Sequence, residues 1–144
     1  MDNYASGSNV SIFLNRATSG TITAGSFSSS VLGIASASEG VTVGDVNGDG
    51  KVDLVAASYV GNTVVSVLKN TSTSTLSATF DRYVAYTDAS GTAGFDGNNV
   101  SLADLNGDGM LDIIRCNYTT GNLSIFRNIQ LNPPVITSFS PTSG

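Results

Sequence analysis

Val43-Gly-Asp-Val-Asn-Gly-Asp-Gly-Lys-Val-Asp-Leu-Val55 is the stretch on which the reading of this chain turns. It returns 59 residues later, counted from Asp45 to Asp104, as Leu102-Ala-Asp-Leu-Asn-Gly-Asp-Gly-Met-Leu-Asp-Ile-Ile114. In both copies an acidic loop carrying two glycines separates short apolar runs. Residues 40–45 and 99–104 enter the loops, and residues 53–59 and 112–118 leave them. These runs are too short for helices and rich in β-branched residues, so they read as strands joined by tight loops.

A second segment appears three times and widens the repeat. It reads Asn3-Tyr-Ala-Ser-Gly-Ser-Asn-Val-Ser-Ile-Phe-Leu-Asn15, then Ser58-Tyr-Val-Gly-Asn-Thr-Val-Val-Ser-Val-Leu-Lys-Asn70, then Asn117-Tyr-Thr-Thr-Gly-Asn-Leu-Ser-Ile-Phe-Arg-Asn128. Turns are expected at Gly61-Asn62 and Gly121-Asn122, with strands at residues 64–68 and 123–126 following them. Residues 79–87 alternate and read as an outer strand. Helical periodicity is absent. Four short strands in roughly 55–59 residues is the rhythm of a propeller blade. The expected fold class is therefore all-β, with four-stranded antiparallel blade-like repeats, about two and a half units, open-ended. The frame places a partial blade (strands C and D) at residues 1–35 and a complete repeat at 36–90. A repeat lacking its last strand follows at 91–130, then a linker or the start of an Ig-like segment at 131–144.

Composition narrows the chemistry. Of 144 residues only 12% are charged, and the net charge is −5. Six Lys plus Arg are scattered along the chain and form no basic stripe, so a nucleic-acid partner is not expected. There is no His and one Cys, which excludes an internal disulfide and a Cys/His zinc site. No run approaches the roughly 20 apolar residues of a membrane helix. No nucleophile and base pair is visible, so neither catalytic residues nor an enzyme are expected. Cys116 lies in an apolar run and is expected to be a buried, inert thiol. Lys51 and Arg115 read as ordinary solvated charges, and Tyr4, Tyr59 and Tyr118 as packing residues.

The acid is concentrated where the repeat is. Of eleven acidic residues, six are Asp45, Asp49, Asp53, Asp104, Asp108 and Asp112. With Asn47 and Asn106 they put oxygen at loop positions 1, 3, 5 and 9. A hard cation such as Ca²⁺ takes six to eight oxygens, and the glycines permit the sharp turn that gathers them. Lys51 and Met110, at position 7, would offer backbone carbonyls. Two Ca²⁺ sites are expected, with ligands from Asp45, Asn47, Asp49, Lys51 and Asp53, and from Asp104, Asn106, Asp108, Met110 and Asp112. Mg²⁺ fits less well, because it holds its waters and demands octahedral geometry. An EF-hand would need Glu at position 12, where Ala56 and Arg115 stand. A plain Asn-Gly hairpin turn is the bland alternative. It explains one loop more easily than two that match at every oxygen.

The loop pattern and the apolar strand ending in Ser58-Tyr59 or Asn117-Tyr118 resemble the FG-GAP/VCBS calcium-loop repeats of β-propellers. The resemblance spans roughly residues 1–130. It implies that each loop joins the first two strands of a blade and holds Ca²⁺. The Gly-Ala-Pro of the integrin type is replaced by Ala57-Ser58-Tyr59 and Cys116-Asn117-Tyr118, and Phe-Gly is only hinted at by Gly94-Phe95. The bacterial secreted type is the closer match. The tail from Pro133 resembles the opening of an IPT/TIG domain. Together these imply an extracellular or cell-surface structural and adhesion module. Its expected partners are neighbouring repeats or further copies, added head to tail through open strand edges into a filament or ring. A protein or glycan ligand fits the same class. The alternative is a fragment of a secreted, glycan-acting propeller.

Overall fold

The computed structural model describes residues 8–17, 20–58, 64–75, 77–87, 99–117 and 121–129. Nine strands run β1 Asn9–Asn15, β2 Phe27–Gly33, β3 Ser38–Gly44, β4 Asp53–Ser58, β5 Val64–Leu68, β6 Val84–Thr87, β7 Val100–Ala103, β8 Asp112–Asn117 and β9 Asn122–Phe126. They form three antiparallel sheets, ordered β1-β2, β3-β4-β5-β6 and β7-β8-β9. No helix occurs among the described residues, and the fold is all-β with blade-like repeats. The outer strand read over residues 79–87 is shorter than expected. Only Val84–Thr87 pairs with β5, while Phe80 forms an isolated bridge to Asn70. Tyr4, Tyr59, Tyr118, the Gly61-Asn62 turn and the tail 131–144 lie outside the described residues.

The sheets stack, and the middle one is covered on both faces. Side chains alternate across a strand, so β4 sends Leu54 and Ala56 one way and Val55 and Ala57 the other. Leu54, Ala56 and Leu68 join Val10 and Ile34 in one core cluster against the first sheet. Val55, Ala57 and Val65 join Val100 and Ile113 in another against the third. This two-sided burial is why β4 reads as a continuous apolar run rather than an alternation. Each fully buried Val or Leu contributes roughly 1.5–3 kcal/mol. The outer faces of the stack stay open: Phe13 and Val31 at one end, Leu123 and Ile125 at the other.

The phase of β8 corrects two expectations. Ile113, Arg115 and Asn117 point toward the middle sheet, so Cys116 points away and is exposed. Arg115 is 1% exposed, not solvated. Its guanidinium donates from Nη2 to the Ser58 carbonyl at 3.2 Å, tying the third sheet to the end of β4. Gly44 allows the closest approach of the two sheets. A Cβ there would stand 2.8 Å from Leu102 Cδ1 and 2.9 Å from Leu111 Cδ1.

Candidate metal centre

The acidic loops join β3 to β4 and β7 to β8, at the same place in consecutive sheets. Each turns on two glycines with left-handed φ: Gly48 at 74° and Gly50 at 80°, then Gly107 at 77° and Gly109 at 86°. A side chain is strained there, which is why both loops read Asn-Gly-Asp-Gly.

The polar bonds of the two loops correspond nearly one to one. Asp45 Oδ1 accepts from the Gly48 N–H at 2.7 Å and the Asp49 N–H at 3.2 Å, and Oδ2 from the Gly50 N–H at 2.7 Å. Asp104 does the same with Gly107, Asp108 and Gly109 at 2.7, 3.2 and 2.8 Å. The Asn47 and Asn106 side-chain oxygens accept from the N–H two residues on, at 2.9 and 3.0 Å. Asp49 and Asp108 repeat this turn with the N–H of Lys51 and Met110, at 3.0 and 2.9 Å. Short polar side chains folding back on the following N–H explain the Asp/Asn choice at positions 1, 3 and 5.

Position 9 is built differently. Asp53 is wholly buried, and Asp112 is 1% exposed. Asp53 accepts from the N–H of Val46 at 3.0 Å and of Asn70 at 2.8 Å. Asp112 accepts from Leu105 at 3.1 Å and Asn128 at 2.7 Å. Each carboxylate thus ties the loop to the end of the third strand of its sheet. Neither forms an ion pair with a cationic side chain among the described residues, where the recorded pair is Lys69 with Asp49 at 3.4 Å.

Two carboxyls are shifted below the ordinary range. For Asp49 desolvation is the largest influence and pushes upward. The Lys51 N–H bond, the Lys69 bond and the charges of both lysines together outweigh it. For Asp104 the leading influence is the N–H bond from Gly109, opposed by desolvation and helped by the amides of Gly107, Asp108 and Asn106.

Of the ten expected ligand positions, eight therefore lie on two tight turns, and Asp53 and Asp112 open β4 and β8 beside them. Within each turn the carboxylates are engaged by backbone amides. Among the described residues, no three acidic, Cys or His side chains converge as a ready-made cage. The donor chemistry fits a hard dication nonetheless. Every side-chain donor is an oxygen, and two of the carboxylates are buried with no balancing cation among the described residues.

Sequence reasoning missed the residues that brace the loops. Asn70 Nδ2 donates to the Val52 carbonyl at 2.8 Å. Asn128 Nδ2 reaches across to the Val46 carbonyl of the other loop at 2.7 Å, and to the Leu111 carbonyl at 3.3 Å. The signal was present: Asn15, Asn70 and Asn128 close the three copies of the second repeat.

Stacked antiparallel sheets with one Asp/Asn/Gly loop per repeat define a β-propeller-type repeat module. A family model described as FG-GAP-like repeat matches residues 45–115, and the chain carries an FG-GAP-like repeat there. No curated protein and no solved structure matches the chain.

Proposed function

We propose that each loop binds one Ca²⁺, and that the ions staple the blades of a non-catalytic, extracellular structural and adhesion module. The observation that carries this reading is the pair Asp53 and Asp112. Both are buried, both are held by backbone amides with no cationic side chain against them among the described residues, and a buried charge without a counter-charge is costly. A dication against the Asp45, Asn47, Asp49 and Lys51 oxygens, and against those of Asp104, Asn106, Asp108 and Met110, supplies that charge. Bound Ca²⁺ adds electrostatic neutralisation; the chain's own residues hold the turn in shape and transmit it to the strands.

The stabilisation scales with free ion. At 100 times the dissociation constant one site contributes about 2.7 kcal/mol. Extracellular calcium, in the range where weak modules saturate, suits such sites. The open end faces at Phe13 and Val31, and at Leu123 and Ile125, support association with neighbouring repeats or further copies. Thermal melts in millimolar Ca²⁺ and in EDTA test the reading. A clear rise in Tm with Ca²⁺ is expected, and identical melts would contradict it.

A further inference from the structure

The residues that brace the second loop reach into the first. A chain of hydrogen bonds runs from one position-9 carboxylate to the other. Asp112 Oδ1 accepts from the Asn128 N–H at 2.7 Å, Asn128 Nδ2 donates to the Val46 carbonyl at 2.7 Å, and the Val46 N–H donates to Asp53 Oδ2 at 3.0 Å. Packing follows the same route. A Cβ at Gly48 would meet Met110 Cε at 3.2 Å and Sδ at 3.7 Å, and one at Gly44 would meet Leu111 Cδ1 at 2.9 Å. Positions 7 and 8 of the second loop thus lie against the entry and the middle of the first. The corresponding bond from Asn70 Nδ2 stays within its own sheet, at the Val52 carbonyl.

We propose that the two loops take up their ions as one cooperative pair, in which filling either loop raises the affinity of the other through Asn128 and Met110. This inference rests on the calcium reading above and adds the regulation of those sites. An ion that fixes Asp112 fixes the backbone of residue 128, which aims the Asn128 side chain at Val46, and Val46 in turn holds Asp53. Met110 offers its carbonyl to one ion while its side chain covers Gly48 of the other turn. The ordering of this shared joint is incurred once, by the first ion, and the second binds to a joint already set. Such coupling is reciprocal, so the enhancement is the same whichever loop fills first. Charge acts in the opposite sense, because a dication on one loop weakens the negative field at the other. At an ionic strength of about 0.15 M that field is screened over about 8 Å, whereas bonded and packed contacts are not. The sign of the net coupling therefore separates the two effects.

Calorimetric Ca²⁺ titrations of the full chain at about 0.15 M salt supply the test. The product of the two wild-type association constants should exceed the product of the single-site constants, taken from Asp45→Ala and Asp104→Ala, by at least about fivefold. Asn128→Ala, introduced into all three chains, removes the bond to Val46 but keeps the backbone N–H that Asp112 uses, and should bring that ratio to near one. Met110→Ala keeps the carbonyl at position 7 and should lower the ratio in part. Amide hydrogen exchange gives a second readout. In the Asp45→Ala chain, Ca²⁺ on the second loop should slow exchange of the Val46 amide in the first, and this slowing should be lost when Asn128→Ala is added. Two bound ions with a ratio of one or below overturn the coupling and leave the calcium reading standing. So does a ratio that neither Asn128→Ala nor Met110→Ala changes. A wild-type chain that binds no ion overturns both.

Discussion

The two acidic loops share every oxygen-bearing residue and nearly every amide bond, yet their surroundings differ. In the first loop Lys69 holds Asp49 Oδ2, Lys51 stands at position 7, and the Asn47 side-chain nitrogen is buried without a partner. In the second, Asn106 Nδ2 holds Asp108 Oδ2 at 2.9 Å. Met110 stands at position 7 and packs on the first loop, so that a Cβ at Gly48 would meet its Cε at 3.2 Å. Asn70 braces its own sheet, whereas Asn128 spans both loops. Identical local chemistry thus serves two jobs. The first loop is a partly neutralised turn that receives the Asn128 bond at its Val46 carbonyl. The second is more negative and is also the joint between sheets.

The position-9 aspartates should break the loops most severely. Asp112→Ala and Asp53→Ala each strand two buried amides and remove charged hydrogen bonds. Each should cost roughly 3–5 kcal/mol by urea denaturation. Asp112→Ala should be the worse, since Asn128 loses its anchor; equal costs would remove the joint assigned to the second loop. Gly44→Ala should cost about 1–3 kcal/mol, because the methyl must displace Leu102 and Leu111. Asn128→Ala should cost more than Asn70→Ala, at about 1–2 against about 1 kcal/mol, since it loses bonds on both sides of the interface.

Smaller effects separate the loops by charge. Lys69→Gln should raise calcium affinity at the first loop only, by a few-fold at most, as expected for an exposed pair. Unchanged affinity in low salt would make that ion pair irrelevant to the metal. In the metal-free chain the depressed carboxyls of Asp49 and Asp104 contribute stability above the unfolded-state value near 3.9. That contribution is lost as the pH falls through their lower folded values. Denaturation midpoints should be flat above about pH 5 and decline below about pH 4. A decline centred on neutral pH would point to other groups.

Much of this was legible in the sequence, for reasons tied to particular residues. β5 runs over Val64–Leu68 as read, because apolar residues there are bounded by a turn signal and a polar end. The loops were legible because glycines at φ near +80° and Asx turns leave a residue pattern with few alternatives. The phase of β8 was not. Ile113, Ile114 and Cys116 are all apolar, and only the packing of the middle sheet decides that Arg115 turns in and Cys116 out. The role of Asn128 was hidden for a similar reason. Its bond to Val46 spans 82 positions, and no local pattern encodes which carbonyl a neighbouring sheet will present.

The most direct test of the two-ion account is the calcium stoichiometry of the purified chain, by equilibrium dialysis at millimolar free Ca²⁺, alongside variants disabling one loop at a time. Two ions per chain are predicted, falling to one with either Asp45→Ala or Asp104→Ala. A wild-type chain that retains none, or keeps both after either substitution, would contradict the account.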